Sequence, residues 1–115
     1  MASEPLEIDH VEQGVLSLRG PLTMENVSPF LNAVRRENSA TMILDLSGVP
    51  YLDSSGLGSL VSAYTSFQKS GRRVALTGVN QRVMKVFEIT KMEAIFLMFP
   101  TLSDALEAFT NAGTA

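Results

Sequence analysis

Asp53-Ser54-Ser55-Gly56 is the one stretch of this chain whose residue types and spacing suggest chemistry. It places an acid and two hydroxyls beside a glycine. An apolar run, Met42-Ile-Leu-Asp-Leu46, leads into it and reads as a buried strand. Beyond it Leu57, Leu60, Val61, Tyr64 and Phe67 recur at helical spacing, so a helix leads away. Asp53 or Ser54 can cap that helix, because their side-chain oxygens accept from its first free amides. Ser55 then falls in or beside the first turn, where the positive end of the helix dipole favours an added negative group. The position is suited to presenting a hydroxyl.

Two kinds of chemistry could use such a hydroxyl. A serine nucleophile needs a base within hydrogen-bonding reach, itself oriented by a third group. His10 is the only histidine; it falls on an expected first strand and reads as structural, with nothing to bring it to the turn. The turn also lacks the Gly-x-Ser-x-Gly elbow of serine hydrolases. Carboxylates are scattered without a paired or metal-ligand spacing, so neither a catalytic site, a cofactor nor a metal is expected. Gly56 and Gly58 read as packing and turn residues rather than a phosphate-binding loop. Arg72-Arg73 read as solvated residues at a strand start, and Met42, Met84 and Met98 as gap-filling core residues.

The elements that must hold this turn can be read in order. Leu6, Ile8 and His10 alternate with Glu7 and Asp9, and Val15, Leu16 and Leu18 follow the Glu12-Gln13-Gly14 turn, which predicts a β-hairpin. Val27, Phe30, Leu31 and Val34 make a helical stripe ending near Arg36 to Ser39. The Met42 to Leu46 strand and the second helix follow, the latter stopping at Ser70-Gly71. A strand at Val74 to Thr77 is closed by Gly78, and Asn80 caps a third helix carrying Val83, Val86 and Phe87. Ala94 to Phe99 is expected as the last strand, ended by Pro100. Ser103 is expected to cap a closing helix with Ala105, Leu106 and Phe109 on one face, and the tail from 111 or 112 to 115 to fray.

Apolar strands separated by amphipathic helices imply an α/β domain with a mostly parallel mixed sheet, an antiparallel contribution from the hairpin and about four helices. At 115 residues and 45% hydrophobic content the chain predicts a single domain, residues 1–115. A net charge of −3 with nine basic residues gives no nucleic-acid surface. The absence of cysteine excludes disulfides and thiolate metal sites. No apolar run approaches the ~20 residues that span a bilayer, and the first residues lack the features of a signal peptide. A cytoplasmic protein without membrane contact is expected.

The turn and its approach, Leu44-Asp-Leu-Ser-Gly-Val-Pro-Tyr-Leu52 followed by Asp53-Ser54-Ser55-Gly56-Leu57-Gly58, resemble the signature of STAS domains and, more narrowly, of bacterial anti-sigma factor antagonists. The resemblance continues through Val83 to Ile89 and Ser103 to Phe109. It implies a STAS-like fold and a binding switch rather than an enzyme. By that resemblance the partner is an anti-sigma factor that is also a serine kinase, and binding it frees the sigma factor. Phosphorylation of Ser55 ends the complex, and a serine phosphatase restores it. Asp53, Ser54, Gly56 and Leu57 are then the partner-facing residues. The resemblance also admits a scaffold or adaptor subunit of a stress-signalling or lipid-transport assembly. One position departs from the pattern: Thr23, after Gly20-Pro21-Leu22, stands where relatives often carry a carboxylate, so nucleotide binding is not carried over. Thr23 is expected to do no more than cap the first helix.

Overall fold

The computed structural model describes residues 4–114, the side chains only as far as residue 110. The elements follow in the order β1 (Glu7–Glu12), β2 (Val15–Arg19), α1 (Val27–Arg36), β3 (Thr41–Gly48), α2 (Ser54–Lys69), β4 (Arg73–Thr77), α3 (Gln81–Ile89), β5 (Leu97–Phe99) and α4 (Leu102–Thr114). The five strands form one sheet in the order β1-β2-β3-β4-β5. The hairpin pair β1–β2 is antiparallel, and every other pair is parallel.

Because β2 to β5 step along the sheet in one direction, right-handed crossovers place α1, α2 and α3 on the same face. The main core lies there: Leu16, Leu44, Leu76 and Met42 from the strands meet Phe30, Leu60, Phe67, Val83 and Phe87 from the helices. Each large apolar side chain so buried contributes about 1.5–3 kcal/mol relative to exposure. A smaller cluster on the opposite face joins Val15, Ile43 and Ala75 to Ala105 of α4. None of the described helices is long and apolar enough to cross a membrane.

Helix ends explain where the chain turns. α2 closes with Gly71 at φ +75, Gly71 N donating to Gln68 O at 3.0 Å and Arg72 N to Phe67 O at 2.9 Å. This pair of bonds satisfies the last carbonyls and needs a left-handed residue, which glycine supplies without strain. α3 closes with the same two bonds, Lys91 N to Glu88 O and Met92 N to Phe87 O, but with Lys91 at φ 63 in the glycine position.

That unexpected closure corrects the reading of the last strand. Residues 93–95 form a turn and Phe96 a bend, Ile95 N donating to Met92 O at 3.1 Å, and β5 spans only Leu97–Phe99. Phe96 drops into the core between Tyr64 and Phe87, with ring centroids 5.6 Å from each. Its burial there takes the place of pairing. The closing helix is likewise capped by Thr101, whose Oγ1 accepts from Asp104 N at 3.1 Å, and Ser103 lies inside its first turn. α4 runs to Thr114, through most of the tail expected to fray; Ala115 lies outside the described residues.

Candidate functional site

Three adjacent loops gather at the carboxyl end of the sheet: β2–α1, β3–α2 and β4–α3. The middle one is Val49 to Asp53, and it is tied to both neighbours. On one side Leu22 and Leu52 form a parallel bridge, with Leu22 N donating to Tyr51 O at 3.2 Å and Asp53 N to Leu22 O at 3.3 Å. On the other, Asn80 Nδ2 donates to Val49 O at 3.1 Å and to Pro50 O at 3.3 Å. The turn that starts α2 is therefore fixed from both flanks.

Asp53 is the N-cap. Its Oδ1 accepts from Gly56 N at 2.8 Å, and its carbonyl accepts from Leu57 N at 2.9 Å. Its second carboxylate oxygen, Oδ2, accepts from Met24 N at 3.1 Å, so one side chain caps α2 and holds the loop before α1. Ser54 and Ser55 occupy the first two helical positions, where backbone amides have no partner within the helix. Ser54 is exposed and Ser55 half-buried, and among the described residues neither hydroxyl makes a hydrogen bond.

Two glycines of the turn differ sharply. A Cβ on Gly56 would stand 1.9 Å from Leu22 O, so the bridge to the β2–α1 loop is possible only without a side chain. A Cβ on Gly58 would meet nothing within 4 Å, and the residue is exposed. The packing role expected for both holds for Gly56 alone. At an exposed position inside the helix Gly58 costs about 0.5–1 kcal/mol relative to alanine, with nothing in the fold to offset it.

Other sequence-derived assignments change. Leu57, expected among partner-facing residues, is 8% exposed and packs in the main core, because it follows Gly56 on the buried side of the helix. It supports the surface from below. Thr23 does not cap α1 with its side chain. The cap is Asn26, whose N donates to Thr23 O at 2.8 Å while its side chain holds Pro21 O at 2.7 Å and Glu4 O at 3.2 Å. His10 is exposed on the edge strand and pairs with Leu16, near the amino end of β2 and at the other end of the sheet from the turn. Among the described residues no three His, Asp or Glu side chains are placed to hold a metal ion.

One surface residue escaped sequence reasoning. Met24 is 70% exposed beside the turn, its amide held by Asp53. A methionine in a loop carries no periodic signal, and only the Asp53 bond reveals where it stands. Nearby, Tyr51 donates its hydroxyl to Glu4 Oε1 at 2.8 Å, which raises the phenol's pKa, and the Arg82 guanidinium lies 4.8 Å over its ring.

The turn thus presents two serines, behind an acid cap, on a ledge of three tied loops. The STAS domain family model matches residues 4–105. The chain belongs to the STAS domain family. It is 29% identical over 89 residues to the anti-sigma-B factor antagonist of Listeria monocytogenes, covering 77% of this chain and 78% of that one. A Thermotoga maritima structure described as an anti-sigma factor antagonist superposes with a TM-score of 0.78 at 28% identity, over 90% of this STAS chain and 92% of its own. The phosphorylated form of the Bacillus cell fate determinant SpoIIAA shares the fold, with a TM-score of 0.65 at 18% identity over 90% and 98% of the two chains.

Proposed function

We propose that this STAS domain is an anti-sigma factor antagonist whose partner is an anti-sigma factor serine kinase, and that phosphorylation of Ser55 ends their complex. The observation that carries the reading is the placement of Ser55. Ser55 is half-buried, its hydroxyl makes no hydrogen bond among the described residues, and it stands two residues after the Asp53 cap, in the first turn of a helix anchored at both ends. The names of the similar proteins support the same reading.

Chemically, the kinase transfers the γ-phosphoryl group of ATP to Ser55 Oγ. The hydroxyl proton leaves, a P–O bond forms to serine and ADP departs. The product carries about −1.5 to −2 charges at neutral pH. Free amides and the helix dipole offset those charges locally, so α2 stays intact. What changes is the surface: bulk and negative charge appear beside the exposed Asp53 carboxylate, in the patch formed by Asp53, Ser54, Ser55 and Met24. A partner surface that fitted the serine hydroxyl beside Asp53 then meets a bulkier and more negative patch. A serine phosphatase reverses the change by hydrolysing the phosphoester. These reactions belong to the partners, and the domain itself supplies only a substrate hydroxyl and a binding face.

The test is a pull-down from lysate of the source bacterium with wild type, Ser55→Ala and Ser55→Asp. A histidine-kinase-like ATPase should be recovered with the first two and not with the third. Equal recovery with a Ser55→Asp protein that is still folded overturns the reading.

A further inference from the structure

We propose that Gly58 is the access residue for Ser55: by leaving α2 bare one turn beyond the phosphosite, it lets a kinase active site close over a hydroxyl that is only half-exposed. This rests on the reading of Ser55 as phosphoacceptor and assigns a role to a residue that the fold does not use.

Gly58 is an unexplained weakness in α2. Gly58 sits inside a 16-residue helix, not at its end, and its φ is not in the left-handed region. Nothing lies within 4 Å of the position its Cβ would take. Close packing, a turn and a left-handed backbone are the reasons a fold needs glycine, and none applies here. The contrast with Gly56, two residues earlier, is internal to the same helix: there a Cβ would strike Leu22 O. Alanine at 58 would strengthen α2 and touch nothing.

Helix geometry says what a side chain at 58 would do instead. Cα–Cβ bonds tilt toward the helix N-terminus, so a residue covers the surface over the turn before it. Positions 54 and 55 are i−4 and i−3 from 58, on the same face. A side chain there would lean across the Ser54 and Ser55 hydroxyls. Met24 already stands 70% exposed beside the turn, with its amide held by Asp53. Gly58 keeps the helix side of the phosphosite clear, as a partner must approach Ser55 closely to place a phosphoryl donor in line with its oxygen.

The experiment compares wild type, Gly58→Ala, Gly58→Gln and Ser55→Ala as substrates of the kinase recovered in the pull-down, alongside their melting temperatures. Alanine should raise the Tm by a few degrees. Glutamine should leave the protein folded and lower kcat/KM for Ser55 phosphorylation by roughly tenfold or more, with a smaller fall for alanine. A purely structural glycine could not give a higher Tm together with slower phosphorylation. Wild-type rates in both variants, with Ser55→Ala unlabelled, overturn the role of Gly58 alone. If wild type itself is not labelled at Ser55, the reading of the phosphosite fails and this inference with it.

Discussion

The turns that start α2 and α3 use the same device to different ends. Each follows a parallel strand, and each is capped by a side-chain oxygen accepting from the third helical amide at 2.8 Å, Asp53 from Gly56 and Asn80 from Val83. The free end of each cap ties a neighbouring loop: Asp53 holds Met24 N, and Asn80 holds the carbonyls of Val49 and Pro50. What differs is the residues that follow. At α3 they are Gln81, Arg82 and the buried Val83, which plugs the core. At α2 they are two serines and a glycine, and that glycine lets another backbone rest on the turn. Capping therefore makes a helix start; small residues beside a docked loop make the surface proposed for recognition.

That comparison can be broken first at Gly56. Gly56→Ala drives a methyl group into Leu22 O and should cost on the order of 3 kcal/mol, lowering the Tm by roughly 10 °C or more. Thermal unfolding followed by circular dichroism measures it, and a shift of the same sign as that of Gly58→Ala would remove the distinction between the two glycines.

The caps come next. Asp53→Ala and Asn80→Ala should each destabilise by about 1–2 kcal/mol in urea denaturation, since each loses a cap and a tether. Only Asp53→Ala should also lower recovery of the kinase, because only its tether places Met24 on the proposed binding face. Equal recovery with both variants would make Asp53 a cap and nothing more. The smallest effect is expected from Met24→Ala. An exposed side chain contributes little to the fold, so stability should change by less than about 0.5 kcal/mol. Kinase affinity should still fall, by about 1 kcal/mol in a titration, if the methionine is buried in the complex.

Much of this architecture was legible because its signals are local and periodic. The hairpin, the buried Met42–Leu46 run, the Asp53 and Asn80 caps and the Ser70-Gly71 stop all stand where residue types demand them. What was illegible depended on distant partners. Phe96 reads as strand until Tyr64 and Phe87 are seen to receive it, and Lys91 gives no sign that it ends α3 in a left-handed conformation normally left to glycine. Leu57 stands both in the signature and on the apolar stripe of α2, and the packing decides for the stripe. In the site itself the capping acid and the serine pair were readable; the Met24 tether and the unequal roles of Gly56 and Gly58 required the β2–α1 loop in three dimensions.

The proposed switch changes the surface without changing the fold. Its most direct test is to phosphorylate Ser55 to completion, then measure both the melting temperature and the affinity for the captured kinase against the unmodified protein. A Tm within a few degrees of the unmodified value, together with loss of the complex, is the predicted result. A phosphoprotein that binds the kinase undiminished, or one that loses binding only because α2 has unfolded, would contradict it.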